Sequence, residues 1–133
     1  MNENVGRHTH LFQDGQFKSH SGLDLFWKIE CDALADEEWK CIAKMIMEYQ
    51  VEPFSRAEGI PRGGKKLASY LDEYSTQNSD MHPVMIVDDV LTTGGSMIEY
   101  SKQFTDPIGW VVFARNIPPK WVTTLFQMPE YVR

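Results

Sequence analysis

The sequence predicts an α/β domain: a parallel sheet covered by helices, preceded by a small antiparallel segment. Three observations carry that prediction. The apolar runs 84–87 (VMIV) and 110–114 (WVVFA) lack the alternation of a strand with one wet face, and suit strands covered on both sides. Glycine-rich loops at 59–64 and 88–95 each lead into a helical pattern, the strand–loop–helix order of a parallel sheet. Nearer the start, Leu23, Leu25, Trp27, Ile29 and Cys31 alternate with Asp24, Phe26, Lys28 and Glu30, as in a half-buried strand.

The elements follow in order. Residues 12–17 (FQDGQF) read as strand around an Asp14-Gly15 turn signal, and Ser21-Gly22 marks a second turn before the 23–31 strand. Asp36, Glu37 and Glu38 supply the negative charge favoured at a helix start. Trp39, Ile42, Ala43, Ile46 and Tyr49 follow at helical spacing, giving a helix over about 35–50. A short segment at 54–58 enters the first glycine loop, and Leu67, Tyr70, Leu71 and Tyr74 mark a second amphipathic helix. Pro83 precedes the 84–87 strand, the loop 88–95 follows, and Met97, Tyr100, Ser101 and Phe104 line a third helix. After the 110–114 strand, Pro118-Pro119 opens a predicted last helix through about 126, with Trp121, Val122 and Leu125 as its stripe.

With 133 residues, 42% apolar and 24% charged, one globular domain over 1–133 is expected, antiparallel over about 1–32 and parallel over about 33–133. The first fifteen residues are polar and no apolar stretch approaches the about 20 residues of a membrane span. Neither a secretory signal nor a transmembrane helix is predicted, and the expected setting is cytoplasmic. A net charge of −6, from 13 Lys plus Arg against 19 Asp plus Glu, argues against a broad nucleic-acid face. It leaves room for a small anion held by a few backbone N–H groups. Cys31 and Cys41 fit neither a zinc spacing nor a disulfide scaffold and are expected as buried reduced thiols. His8-Thr9-His10 has no second Cys/His pair at ligand spacing and is expected in solvent.

Ligands of open parallel sheets bind beyond the carboxyl ends of the strands, where both glycine loops fall. In 84–96 (VMIVDDVLTTGGS), Asp88 and Asp89 end the strand as acceptors suited to ribose hydroxyls or a magnesium shell. Gly94 and Gly95 allow close backbone approach, and Thr92, Thr93 and Ser96 add hydroxyl donors to a phosphate. This run resembles the 5-phosphoribosyl 1-diphosphate (PRPP) signature of the type I phosphoribosyltransferases. The resemblance implies that Asp88 and Asp89 meet the ribose hydroxyls, directly or with Mg2+, and that Thr92, Thr93, Gly94, Gly95 and Ser96 cradle the 5-phosphate.

Residues 58–64 (EGIPRGG) resemble the family's pyrophosphate loop, a tight and often cis backbone. By that resemblance Glu58, Gly59, Ile60, Pro61, Gly63 and Gly64 face the diphosphate and Arg62 adds positive charge. The same stretch also reads GxxxxGK, but Lys66 stands where a P-loop NTPase needs Ser or Thr, and Pro61 removes an N–H donor from the loop.

Residues 15–22 (GQFKSHSG) with the 23–31 strand are loosely similar to the start of orotate phosphoribosyltransferases, where this part forms a hood over the nucleobase. His20 stands where that subfamily usually has Lys, and Lys28 and Ile29 where it has paired aromatics. Arg115 matches an Arg that contacts the orotate carboxylate, with Ala114 in place of the usual Asp. Phe26, Trp27, Trp110 and Trp121 are candidate stacking surfaces; packing is the commoner role for such residues, and Phe26, among polar neighbours, is the exception. Between Gly64 and Val84 there are only nineteen residues, where orotate-type enzymes carry an extra strand and a long mobile lid. The resemblance therefore implies a PRPP-dependent transferase, with Mg2+ and PRPP, acting on a nitrogenous base or amine, as a homodimer without nucleic-acid or membrane partners. The residues leave the acceptor open, and leave a PRPP-binding regulator and a nucleotide-binding NTPase as alternatives.

Overall fold

The computed structural model describes residues 10–18 and 22–129. His8, Thr9, His20 and Ser21, singled out above, lie outside the described residues. The chain divides after Asp36 into a small unit and a larger one.

In the small unit, β1 (Phe12–Lys18) pairs antiparallel with β2 (Asp24–Ile29), and a 3-10 turn follows at Cys31–Ala33. The Asp14-Gly15 signal does not reverse the chain. Asp14 pairs with Trp27 and Phe17 with Leu25, so β1 carries one extra residue, a bulge in which Gly15 takes φ 145° with the Phe17 ring beside it. The reversal falls between β1 and β2, where Gly22 takes φ 87°. Ile29 and Cys31 are buried, whereas Leu23 and Trp27 are exposed, so β2 is less covered than its alternation predicts. The Lys28 ammonium sits over the Phe17 ring, 4.8 Å from its centroid, and pairs with Glu30 at 3.0 Å.

The larger unit is built on a parallel sheet in the order β3 (Arg56–Gly59), β4 (Val84–Leu91), β5 (Ile108–Ala114) and β6 (Val122–Gln127). Its helices are α1 (Asp36–Tyr49), α2 (Lys65–Leu71), extended by a 3-10 turn at Asp72–Tyr74, and α3 (Gly95–Ser101). The predicted stripe of α1 is buried at Trp39, Ile42, Ala43 and Ile46. Tyr49, in the last turn, is exposed, and the chain there is tied down by the Trp110 indole, which donates to Gln50 Oε1 at 2.7 Å. Cys31 and Cys41 are both free thiols, but Cys41 is exposed, off the buried stripe of α1, contrary to expectation.

One core cluster joins Ile86, Leu91, Val111, Ala114 and Val122 of the sheet to Met97 of α3, with Tyr100 and Phe104 packed against it. Glu58 and Ile86 are register partners facing this side, and Gly59 and Val87, one step on, face the start of α2. The sheet is thus covered on both faces, as its unbroken apolar runs predict.

Two elements differ from the sequence prediction. β4 runs to Leu91 rather than ending at Val87, because its ladder to β5 continues through Val90↔Phe113 and Leu91↔Ala114. The predicted last helix is strand β6. Trp121, Val122 and Leu125 fit a helical period, but the β-branched Val122, Thr123 and Thr124 fit a strand, and the open edge of β5 decides between them. Trp121 packs over Gly109, where an added Cβ would stand 2.8 Å from the indole, and Phe126 stacks on Phe113 with ring centroids 5.4 Å apart.

The segment between α2 and β4 is pinned to the start of the sheet. Thr76 and Gln77 donate their backbone N–H groups to the carbonyls of Phe54 and Ser55, both at 2.9 Å, and Ser55 N–H donates to Pro83 O at 2.8 Å. Thr76 Oγ1 also bonds His82 Nδ1 at 2.8 Å. Among the described residues no helix is long and apolar enough to cross a membrane.

Ile46 is fully buried and Tyr49 is 67% exposed on the same helix. Chemical denaturation should therefore show Ile46→Ala losing about 2–5 kcal/mol and Tyr49→Ala staying within about 0.5 kcal/mol of the parent.

Candidate functional site

β3, β4 and β5 end at Gly59, Leu91 and Ala114, and the two glycine loops follow β3 and β4. Loop 60–64 is folded onto β4. Ile60 N–H donates to Val87 O and Gly64 N–H to Ile60 O, both at 2.9 Å, and Lys65 N–H reaches Arg62 O at 3.2 Å. The Pro61-Arg62 peptide is cis, the form the resemblance implied for this loop.

Glycine is required here by contact. A Cβ on Gly59 would stand 2.3 Å from Gly64 O, and one on Gly64 would stand 2.4 Å from Val87 O. One on Gly63 would stand 2.3 Å from Asp89 Oδ2, so the Asp89 carboxylate lies directly on the glycine loop. The two motifs, read separately in sequence, are one structure.

Asp88 and Asp89 sit within β4 rather than in a loop after it. Asp88 is 9% exposed, and its carboxyl is pushed up from 3.8 to about 8, first by burial, then by the neighbouring Asp89 carboxylate and a hydrogen bond with it. Asp89 N–H donates to Asp88 Oδ1 at 2.8 Å and Val90 N–H to Asp89 Oδ1 at 2.7 Å, which orients both side chains. No group of three or more His, Cys, Asp or Glu is placed to hold a metal ion among the described residues.

The second loop turns at Gly94, whose φ of 91° favours glycine, and enters α3. Thr93 Oγ1 accepts from Gly95 N–H at 3.4 Å, a long and weak bond. Asn116 Nδ2 donates to Thr92 O, bracing the loop from the segment after β5. Sequence reasoning missed Asn116, because nothing local marks a side chain that serves another loop's carbonyl. Ser96 is exposed at the start of α3.

Both loops leave backbone donors unused. Among the described residues, the N–H groups of Arg62 and Gly63 in the first loop, and of Thr93, Gly94 and Ser96 in the second, make no hydrogen bond. The expectation for Ile60 and Gly64 narrows accordingly: their N–H groups are used inside the fold, and the Ile60 side chain is buried in the core. The Arg62 side chain is exposed.

Glu58 belongs to β3, and its side chain turns toward α3. Its Oε2 pairs with Arg56 Nε at 2.7 Å and its Oε1 accepts from the Tyr100 hydroxyl at 3.3 Å. The Arg56 guanidinium lies over the Phe104 ring at 5.6 Å, and the Tyr100 and Phe104 ring centroids are 5.9 Å apart. Burial, then the Glu58 carboxylate, raises the Tyr100 hydroxyl above its usual value, keeping it a donor.

Of the base-site residues, Arg115 follows β5 at the same edge, its N–H donating to Leu91 O at 2.8 Å, and burial lowers its guanidinium below the ordinary value. Phe26 is on β2 of the small unit and 55% exposed. Trp110 is core, and Trp121 is packed against the core cluster.

No family model matches the chain, and no curated protein matches it in sequence. Solved structures do match. Orotate phosphoribosyltransferase from Aeropyrum pernix is 17% identical, with TM-score 0.68 over 89% of this chain and 88% of that one. UMP synthase from Leishmania donovani is 16% identical, with TM-score 0.71 over 90% of this chain and 34% of that longer one. Mycobacterium tuberculosis orotate phosphoribosyltransferase, solved in complex with inorganic phosphate, is 13% identical, with TM-score 0.60 over 86% and 87%.

Two outcomes follow from the loop contacts and from Asp88. Gly64→Ala meets backbone and should cost about 1–3 kcal/mol in denaturant melts, whereas Gly63→Ala meets only a movable carboxylate and should melt close to the parent. Because the folded protein holds the Asp88 proton more tightly than the unfolded chain does, the contribution of this group to stability is full below about pH 4. It is lost as pH rises toward about 8, by at most about 1.4 kcal/mol per unit. Asp88→Asn should flatten that slope in melts of unliganded protein.

Proposed function

We propose that this chain, which has the type I phosphoribosyltransferase fold, binds PRPP at the carboxyl edge of its parallel sheet and transfers the phosphoribosyl group to a nitrogenous base, releasing pyrophosphate. The observation that carries the reading is the Asp89 carboxylate of β4 seated on Gly63, which sets the first glycine loop against the strand that leads into the second, with N–H groups of both loops left without a partner among the described residues. A diphosphate on the Arg62 and Gly63 amides, and a 5-phosphate on those of Thr93, Gly94 and Ser96, would leave the ribose between them, beside Asp88 and Asp89.

The two carboxylates would give Mg2+ a partial oxygen set, to be completed by substrate oxygens and water, and a cation there would offset the burial and the Asp89 repulsion that together keep the Asp88 proton in place. When bound, Mg2+ would supply positive charge to the diphosphate leaving group. The chain's own residues do the rest by position and charge: backbone donors fix both phosphates, Arg62 offsets negative charge on the leaving diphosphate, and the aspartates orient the ribose hydroxyls. No protein nucleophile is needed for displacement at C1. Arg115, which follows β5 at the carboxyl edge of the sheet, is suited to an acidic base. The same reading carries a cytoplasmic homodimer.

The short, pinned segment between α2 and β4 favours a second reading, a protein that binds PRPP without turning it over. It is fastened at the far end of the sheet from the loops and does not supply a lid.

Calorimetric titration tests the proposal. PRPP should bind saturably and with Mg2+ dependence, ahead of ATP and ribose 5-phosphate. Asp88→Ala and Thr93→Val should each weaken it by about tenfold or more, with Cys31→Ser unchanged. Absent PRPP binding, or a preference for ATP, would overturn the assignment. Pyrophosphate release on adding orotate or purine bases then separates the transferase from the second reading.

A further inference from the structure

Glu58 and Tyr100 bridge the two loops. Glu58 is the residue before Gly59, where the first loop begins, and Tyr100 stands on α3, which grows directly out of the second. Glu58 uses both carboxylate oxygens, one on Arg56 and one on the Tyr100 hydroxyl, and Arg56 returns to α3's side by lying over Phe104, the aromatic neighbour of Tyr100. The contacts form a closed ring, Glu58 to Tyr100 to Phe104 to Arg56 to Glu58, joining the strand before one loop to the segment that follows the other. The Tyr100–Glu58 hydrogen bond is part-buried and, at 3.3 Å, long for an O–H···O bond, so it is the ring as a whole that ties the two segments together.

We infer that Tyr100 and Glu58 are positioning residues that set the spacing between the two phosphate loops, and so favour a ligand carrying two phosphate groups at a fixed separation. The inference rests on the PRPP reading above. A ligand that engages both loops gains from their preset separation as a linked pair of binding groups does, whereas a fragment that engages one loop is indifferent to it. Neither side chain touches the ligand in this scheme. Both act through the loops they anchor, which accounts for a Glu that sits beside a phosphate loop while turned toward α3.

The test compares three ligands, PRPP, ribose 5-phosphate and pyrophosphate, titrated with Mg2+ into the parent, Tyr100→Phe and Glu58→Gln. Tyr100→Phe removes one hydroxyl and keeps the ring packing, and Glu58→Gln keeps an acceptor for Tyr100. Tyr100→Phe should bind both fragments as the parent does while losing about five- to tenfold in PRPP affinity, and Glu58→Gln should recover part of that loss. Unchanged PRPP affinity in Tyr100→Phe overturns the inference and leaves the PRPP assignment standing. Equal weakening of all three ligands also overturns it, because the residue then supports the fold or a single loop. A parent protein that does not prefer PRPP over its fragments overturns the functional assignment, and the positioning role falls with it.

Discussion

The docking of the 60–64 loop onto the end of β4 is the constraint on which the larger unit's chemistry depends. Ile60 donates to Val87 O, Gly64 packs where a side chain would strike that same carbonyl, and Gly63 is covered by the Asp89 carboxylate. A single Cβ at Gly64 would force the strands' ends apart, since backbone meets backbone there with no flexible atom to give way. Docking also sorts the loop's N–H groups. Those of Ile60, Gly64 and Lys65 hold the fold together, and those of Arg62 and Gly63 are left without a partner among the described residues.

On the proposed reading, this division is what lets an acidic chain hold an anion. The net charge is −6, and two adjacent carboxylates stand on β4, yet the donors proposed to face a phosphate are backbone groups, whose number does not depend on global charge. Asp88 shows the cost of the arrangement in the unliganded state: buried beside Asp89, it keeps a proton well above the usual carboxylate range.

Much of this was legible in the sequence, and the failures have physical reasons. Strands β4 and β5 are covered on both faces, and that environment selects the unbroken apolar runs from which they were read. EGIPRGG was readable because close backbone approach excludes a side chain at 59 and 64, and VMIVDDVLTTGGS because paired acids after an apolar run lead to a turn whose Gly94 takes a positive φ. β6 was misread as a helix because Trp121, Val122 and Leu125 satisfy one period while Val122, Thr124 and Phe126 satisfy the other, and only the open edge of β5 settles it. The Asp14-Gly15 signal proved to be a bulge because local turn chemistry does not reveal strand register. Glu58 was assigned to the loop by adjacency, whereas its partners Arg56 and Tyr100 become visible only when strand alternation and the position of α3 are known together. Asn116 had no local signal at all.

The most direct test of the account is the backbone amide spectrum of the protein titrated with PRPP and Mg2+. The account predicts that the largest chemical-shift changes fall together on Arg62 and Gly63 and on Thr93, Gly94 and Ser96, with Asp88 and Asp89 beside them. Changes confined to one loop, or centred elsewhere on the sheet, would contradict the claim that these two loops form one site.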